Sequence, residues 1–159
     1  MAGCRGRQHT ADASSTANTT PRATAHHTRL PGGSTGSVDT TASPRDVVRR
    51  YYDAIQRHDY DAAYALWSDG GKASNQTRPA FAAGFAQTAE VRVNPSDSVV
   101  VEGAAGSQYA TVPVAIDAVL RDGQHQHFDG TYTLRRSMVD GATPEQLQWR
   151  IYSSDLRAR

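Results

Sequence analysis

The stretch from Arg49 to Gly71, RRYYDAIQRHDYDAAYALWSDGG, constrains the fold more than any other part of the chain. Its apolar and aromatic residues recur at helical spacing in two successive runs. His58 and Asp59 interrupt the pattern between the runs, and residues 69–71, Asp-Gly-Gly, end it. The stretch therefore predicts two short helices whose aromatic side chains point to one side.

Both helices carry sequence signals for their first turns. Ser43 can accept hydrogen bonds from the free backbone N–H groups at the start of the first helix, and Pro44 gives up a donor that would be unpaired there. Asp46 places a negative charge at the positive end of the same helix. Asp59 is the corresponding N-cap of the second helix, and we expect His58 to cap the C-terminus of the first.

The aromatic stripe is typical of a hydrophobic core, but its tyrosines allow a second interpretation. A buried tyrosine hydroxyl needs a hydrogen-bond partner, so several tyrosines on one stripe favour a pocket or a buried polar network beneath the helix. The candidate pocket takes its aromatic side chains from the two helices, from a third predicted helix and from the strands that follow. They are Tyr51, Tyr52, Tyr64, Trp67, Phe81, Phe85, Phe128, Tyr132 and Trp149.

From Val91 onward the hydrophobic period changes from helical spacing to two, which is typical of strands. Ahead of it we expect a loop over residues 72–77 and a third helix over 77–87. Short strand segments around Val93 and Val100 are broken near Pro95, and a turn covers 102–107. Longer strands are predicted over 108–121, 124–138 and 146–155, the last with Leu147, Trp149 and Ile151 toward the core.

The length of the turn between the two longest predicted strands follows from the alternation of apolar and polar residues along them. A two-residue turn at Asp122 and Gly123 would set apolar positions opposite polar histidines, because the paired positions would change parity. A three-residue loop over residues 121–123, with Gly123 left-handed, keeps the apolar faces together. This register pairs Ile116 with Phe128, Val112 with Tyr132 and Asp117 with His127.

Composition limits the number of domains and the class of partner. The 159 residues, 38% of them hydrophobic, allow one domain over 44–159 and a tail over 1–43. The net charge of +1 and the scattered arginines give no electrostatic footprint for nucleic acid. No apolar run approaches the roughly 18–20 residues that span a bilayer. A single cysteine excludes a metal site built on cysteines, and we expect no metal and no cofactor.

The sequence of the tail predicts the subcellular location of the protein. Residues 2–4, Ala-Gly-Cys, resemble the end of a bacterial lipobox, in which the cysteine becomes the lipid-bearing first residue. The charged and apolar parts of a signal peptide are missing before it, so either the true start codon lies upstream of Met1 or Met1 replaces the signal peptide. The alternative is that the tripeptide occurs by chance. Residues 5–43 have few large apolar side chains and predict a disordered polar tether. We interpret the protein as a periplasmic or cell-envelope lipoprotein, anchored to the membrane through Cys4.

Three helices followed by a long-stranded antiparallel sheet make an α+β cone. The run YYDAI, the break at Asp59 and the run DAAYALW resemble the NTF2-like superfamily, with its SnoaL-like and ketosteroid-isomerase-like members. The resemblance covers residues 43–159 and implies N-terminal helices packed on a strongly curved antiparallel sheet. The superfamily holds isomerases, dehydratases, epoxide hydrolases and cyclases beside non-catalytic binding and assembly domains, so it implies a fold more than a function.

The resemblance also implies one candidate catalytic residue. Tyr51 matches the oxyanion-stabilising tyrosine of the isomerases, while the place of their general-base aspartate falls near Asn75, which cannot abstract a proton. Asp117, His127 and Asp129 are predicted on the polar face of the sheet. There they form a surface salt bridge or a dimer interface, and an Asp–His acid/base pair is the rival interpretation.

Three hypotheses follow for the function. The first is non-catalytic binding of a small apolar ligand or a partner protein, in or around the cone. The second is an enzyme of the SnoaL or isomerase type that uses Tyr51 and an unidentified base. The third is a structural dimer whose cone is filled by its own side chains. The polar sheet face is the candidate surface for a homodimer.

Overall fold

The computed structural model describes residues 42–159, with helices first and strands after them, the α+β order that the sequence predicts. The helices are α1 Pro44–Gln56, α2 Tyr60–Ala65 and α3 Arg78–Gly84, with 3₁₀ turns over Asp69–Ser74. The strands are β1 Thr88–Pro95, β2 Val100–Ala104, β3 Ser107–Leu120, β4 His125–Ser137 and β5 Arg150–Ala158. Cys4 and nearly all of the predicted tether lie outside the described residues.

Helix α1 begins and ends at the predicted residues. Ser43 and Asp46 form a reciprocal capping box: the backbone N–H of Asp46 donates to Ser43 Oγ at 3.2 Å, and Asp46 Oδ2 accepts from the Ser43 backbone N–H at 3.2 Å. At the other end the backbone N–H groups of His58 and Asp59 donate to carbonyls of the last turn at 2.9 and 2.8 Å. The C-cap residue is Arg57, and His58 follows it in the left-handed conformation common after a helix, with φ of 59°.

Strand β3 is the central element of the sheet. Its partner along one edge is β4, and the other edge carries β1 along residues 114–120 and β2 along residues 107–111. The two shorter strands therefore follow each other along one edge, and β5 completes the order β1-β3-β4-β5. All strand pairs are antiparallel. The sheet is not closed, and with the helices on one face it makes the predicted α+β cone.

The core lies between α1 and the inner face of the sheet. Apolar residues at even-numbered positions of β3 are buried there, as the alternation predicts. A side-chain contact also joins the two layers, since Gln56 Oε1 accepts the backbone N–H of Val91 in β1 at 2.7 Å. The buried residues are Val47, Val48, Tyr51, Tyr52, Ala54 and Ile55 of α1, and Ala110, Val112, Val114, Ile116 and Ala118 of β3.

The loop between β3 and β4 has the predicted length and conformation. Gly123 is left-handed, with φ of 86°. Its N–H donates to Leu120 O at 2.9 Å, and the Leu120 N–H donates to Gln124 O at 2.8 Å. The register is confirmed in full: Ile116 pairs with Phe128, Val112 with Tyr132 and Asp117 with His127.

Two predicted loops are shorter than expected. The loop predicted over 72–77 begins as 3₁₀ turns that run to Ser74. Within these turns, Gly71 lies so close to Tyr64 that an added Cβ would meet the tyrosine ring at 2.0 Å. The turn predicted over 102–107 is reduced to Ala105 and Gly106, because β2 and β3 stay paired as far as Ala104 and Ser107. Backbone pairing therefore extends into sequence whose composition suggests a turn.

The last strand begins later than predicted, at Arg150. Leu147, predicted in the core, is 37% exposed and lies in a turn where its N–H donates to Thr143 O at 3.1 Å. Trp149 and Ile151 are buried, as predicted. Beyond Ile151 the pairing register between β5 and β4 shifts by one residue. Because of this β-bulge, the side chain of Leu156 faces the core and packs against it.

The segment after α2 adds a short parallel bridge to the outer edge of β5. Trp67 pairs there with Ile151. The Ser68 N–H donates to Ile151 O at 2.8 Å, and the Ile151 N–H donates to Leu66 O at 2.9 Å. The bridge fixes Trp67 at the border between the helices and the sheet.

Candidate functional site

The predicted pocket residues gather into one aromatic cluster whose centre is Tyr51, which is 3% exposed. Most of its ring contacts are edge-to-face, the arrangement that the quadrupoles of aromatic rings favour. Around Tyr51 lie the rings of Tyr52, Tyr132, Trp67 and Phe81, with centroids at 5.0, 5.9, 6.1 and 6.2 Å. Phe81 extends the cluster to Phe85 at 5.2 Å and Tyr64 at 5.5 Å.

The two remaining predicted members reach the core from other positions. Trp149 is buried beneath the guanidinium of Arg136, whose Cζ lies 4.7 Å from the ring centroid. Phe128 is half-buried and packs against the core from β4. The fold therefore brings seven of the nine predicted side chains into one group and holds the other two at its margins.

The hydroxyls of Tyr52, Tyr132 and Tyr64 are paired within the protein. The hydroxyls of Tyr52 and Tyr132 form a buried hydrogen bond of 2.7 Å between α1 and β4. The hydroxyl of Tyr64 donates to Gln76 O at 2.9 Å. The first bond is a buried polar contact of the kind that a tyrosine-rich stripe needs, and the second is partly buried.

Burial also affects the pKa of the central tyrosines. Removal from water raises the pKa of Tyr51, Tyr52 and Tyr132 above the usual value of a tyrosine, because it penalises the phenolate. For Tyr51 the neighbouring Tyr132 raises the pKa further, and the Trp67 side chain opposes the rise. The three hydroxyls therefore keep their protons at neutral pH, so they can donate hydrogen bonds but cannot serve as bases.

The indole of Trp67 packs against the rings of Tyr51 and Tyr132, with centroids at 6.1 and 6.4 Å. Its N–H group acts on the Tyr51 hydroxyl, where it opposes the rise of the tyrosine pKa. Nε1 is buried, and no other acceptor for it lies among the described residues. This buried donor therefore belongs to the aromatic cluster.

The other candidate residues lie on the surface. On the polar sheet face, Asp117 Oδ1 contacts His127 Nδ1 at 2.5 Å, with 53% and 58% of these side chains exposed. Asp129 pairs with Arg159 at 2.8 Å. Asn75 is exposed at the end of the 3₁₀ turns, and His58 Nδ1 lies 2.9 Å from the hydroxyl of Tyr60. Exposed pairs of this kind contribute little to stability, and their role as a dimer interface stays a prediction.

The structure also contains an open cleft of about 500 Å³, which the sequence did not predict. It is lined by the segment after α2, the start of α3, the end of β4 and the chain leading into β5. We call it the arginine cleft, because four arginines face two carboxylates in its lining. They are Arg78, Arg135, Arg136 and Arg150, with Asp69 and Glu145.

Three of these arginines are half-buried and bonded to neutral acceptors. Arg136 donates from Nε and Nη2 to Gln108 Oε1 at 2.9 and 2.7 Å. Arg135 donates to Ser107 Oγ at 3.4 and 3.2 Å, and Arg150 Nη1 donates to Ala65 O at 2.8 Å. Arg78 is more exposed and lies 3.4 Å from Asp61. One sequence signal was available: arginines occur near the end of one predicted strand and in the middle of the next.

Two other features are absent from residues 42–159. No group of three or more His, Cys, Asp or Glu side chains there could hold a metal ion. None of the helices in this part of the chain is long and apolar enough to cross a membrane.

Comparison with known proteins identifies the fold. No protein-family model matches the chain, and no curated protein does. A candidate aromatic ring hydroxylase from Novosphingobium aromaticivorans aligns with a TM-score of 0.52 at 16% identity, covering 72% of this chain and 90% of its own. A candidate scytalone dehydratase from the same bacterium aligns with a TM-score of 0.50 at 13% identity, covering 72% and 80%.

A third similar structure is a protein of unknown function from Mycobacterium tuberculosis. It aligns with a TM-score of 0.50 at 18% identity, covering 72% of this chain and 73% of its own. At these identities the likeness concerns the path of the backbone and carries no information about substrate. Residues 42–159 therefore have the NTF2-like fold, as the aromatic helices of the sequence predict.

Proposed function

We propose that the protein is a non-catalytic binding domain with the NTF2-like fold, held outside the cytoplasm by a lipid on Cys4, with its ligand in the arginine cleft. The observation that carries the proposal is the contrast between two regions. The cone interior is packed with aromatic rings around Tyr51, whereas the arginine cleft is open and lined by polar groups. A cleft of this size suits a small molecule.

An apolar ligand inside the cone is a less favourable version of the same proposal. The rings around Tyr51 lie at contact distance from one another, and the hydrogen bond between Tyr52 and Tyr132 spans the space between α1 and β4. A ligand there would have to separate rings and break that bond. Binding around the cone leaves these contacts in place.

The enzyme alternative rests on Tyr51. A neutral tyrosine hydroxyl in a dry site is suited to stabilise a developing oxyanion. The step also needs a base near the substrate, and the position that resembles the isomerase base is Asn75, which is exposed on the surface. The buried hydroxyls near Tyr51 keep their protons and do not replace it.

The variant Tyr51→Phe separates binding from catalysis. It keeps the ring and removes one hydroxyl, so the free energy of unfolding should fall by about 1 kcal/mol and the fold should survive. Chemical denaturation measures this loss. Tyr60→Phe is the control, because it removes a surface hydroxyl that meets only His58 Nδ1 in the described structure. Wild-type protein should show no turnover of enolisable ketones in an absorbance assay.

Turnover in the wild type that falls roughly 100- to 1,000-fold in Tyr51→Phe, but not in Tyr60→Phe, would replace the binding proposal with the enzyme alternative. A fold that survives in both variants, together with ketones left unchanged by the wild type, supports the proposal.

The anchor is tested at Cys4, which is the only cysteine of the chain. Expressed in a bacterium with its native upstream region, the protein should incorporate a radioactive fatty acid and sediment with membranes. Cys4→Ala should lose both properties, and Ser14→Ala in the predicted tether should keep both. Labelling that persists in Cys4→Ala, or an upstream region without an in-frame signal peptide, would rule out the anchor and leave the binding proposal untouched.

A further inference from the structure

We propose that the ligand of the arginine cleft is a small dianion, a dicarboxylate or a phosphate monoester, held by Arg135, Arg136 and Arg150. The inference rests on the proposed function, because it takes the cleft as the binding site. It adds the chemical class of the ligand and the residues that recognise it.

The charge of the lining calls for an anion. Four arginines and two carboxylates face the cleft, so its lining carries a formal excess of two positive charges. Arg78 contacts a carboxylate, Asp61, that lies outside the lining. The three half-buried arginines bond to a hydroxyl, an amide and a carbonyl, which orient the guanidinium groups without neutralising them. Once Asp61 is set against Arg78, an excess of one positive charge remains and is carried by the three half-buried arginines, which favours an anionic ligand.

The sheet register adds an electrostatic argument. Arg135 of β4 pairs directly with Arg150 of β5. Like charges at opposed positions of an antiparallel pair destabilise the sheet. Arg136 is the next residue of β4, so its side chain leaves the strand on the opposite face, where it lies over the Trp149 ring. An oxyanion in the cleft would offset the repulsion between Arg135 and Arg150, and a guanidinium can bind a carboxylate or phosphate through two parallel hydrogen bonds.

One unpaired donor in the lining favours the same ligand. Gln148, a lining residue, buries a side-chain nitrogen, Nε2, that has no acceptor among the described residues. Buried donors of this kind normally have a partner. The oxygen atoms of a dianion accept from N–H groups, so one ligand would satisfy the amide as well as the guanidinium groups.

Titration of the full chain tests the ligand class. Succinate and phenyl phosphate are the two anionic probes, and succinamide is the neutral control at matched ionic strength. Calorimetry should give one-to-one binding for at least one dianion and none for succinamide. Backbone amide signals of Gln148, Arg150 and Ser68 should shift on addition of that dianion. Succinate and phenyl phosphate compared side by side decide between a carboxylate and a phosphate.

Glutamine substitutions test the recognising residues. Arg136→Gln and Arg150→Gln should each weaken binding of the dianion about tenfold or more, since each removes a charged pair of hydrogen bonds. Arg92→Gln is the matched control, because its side chain is 82% exposed on β1, away from the lining. It should change the affinity less than twofold. Circular dichroism establishes that each variant is folded, and the amide shifts of the wild type do not depend on any variant.

The outcomes separate this inference from the proposed function. If neither dianion shifts the amide signals, or if Arg92→Gln weakens binding as much as Arg150→Gln, the dianion inference is wrong. If a neutral compound from a fragment set then binds in the cleft, the binding function stands with a different ligand. If the wild type turns over ketones and the cleft binds nothing, both fail.

Discussion

Replacing Gly130 with alanine is expected to cost about 3–5 kcal/mol of unfolding free energy, or to prevent folding. Gly130 pairs with Leu156 across β4 and β5. A Cβ at this position would lie 1.9 Å from the carbonyl oxygen of Asp155 and 2.9 Å from the Cα of Leu156. Both contacts are with backbone atoms, so no side-chain rotation relieves them, and β5 would have to move away from β4.

Gly103→Ala is the matched control for this substitution. Gly103 also lies in a strand, β2, but an added Cβ there meets nothing within 4 Å. The free energy of unfolding of this variant should stay within about 1 kcal/mol of the wild type, because a strand generally tolerates alanine better than glycine. Chemical denaturation of the three proteins measures the difference. Equal midpoints for Gly130→Ala and Gly103→Ala would mean that β4 and β5 are not paired in this register.

Truncation of Trp149 to alanine should cost about 3–5 kcal/mol, the range expected when a large buried side chain is removed from a core. Trp149 is 7% exposed and is covered by Arg136. The variant loses the apolar area of the indole and leaves a cavity between the cleft and the core. Trp149→Phe should recover part of the loss, because it keeps a ring beneath the guanidinium.

Arg92→Ala is the control for the tryptophan truncation. Arg92 lies on β1, is 82% exposed and is 4.0 Å from Glu90, so its removal should cost well under 1 kcal/mol. Both changes are measured by chemical denaturation at one pH. A Trp149→Ala midpoint equal to that of Arg92→Ala would place Trp149 outside the core.

Local rules explain why much of the fold was predictable. Ser43 and Asp46 form the cap that their spacing predicts, and the three-residue loop with Gly123 left-handed follows from keeping apolar faces together. Each of these features depends on residues close in sequence. The start of β5 does not, because the position of Leu147 depends on a turn whose composition differs little from that of a strand.

The aromatic stripe shows a different limit of sequence reasoning. A helix that faces a ligand and a helix that faces packed side chains present the same spacing. The outcome depends on how closely Tyr132 of β4 approaches Tyr51 and Tyr52 of α1, a distance set by the curvature of the sheet. The arginine cleft was missed for a related reason. Arg78, Arg135 and Arg150 are far apart in the chain, and only the paired strands and the helix bring them together.

The bridge between Trp67 and Ile151 also bears on aggregation. An uncovered strand edge offers unpaired N–H and C=O groups to any other chain, and β5 is a strand at the edge of this sheet. Residues 66–68 cover this edge where β5 is most apolar, at Ile151. Farther along, Asp155 and Arg157 expose 71% and 83% of their charged side chains. The edge of one strand is thus shielded first by backbone pairing and then by charge, and both features disfavour the addition of a strand from another chain.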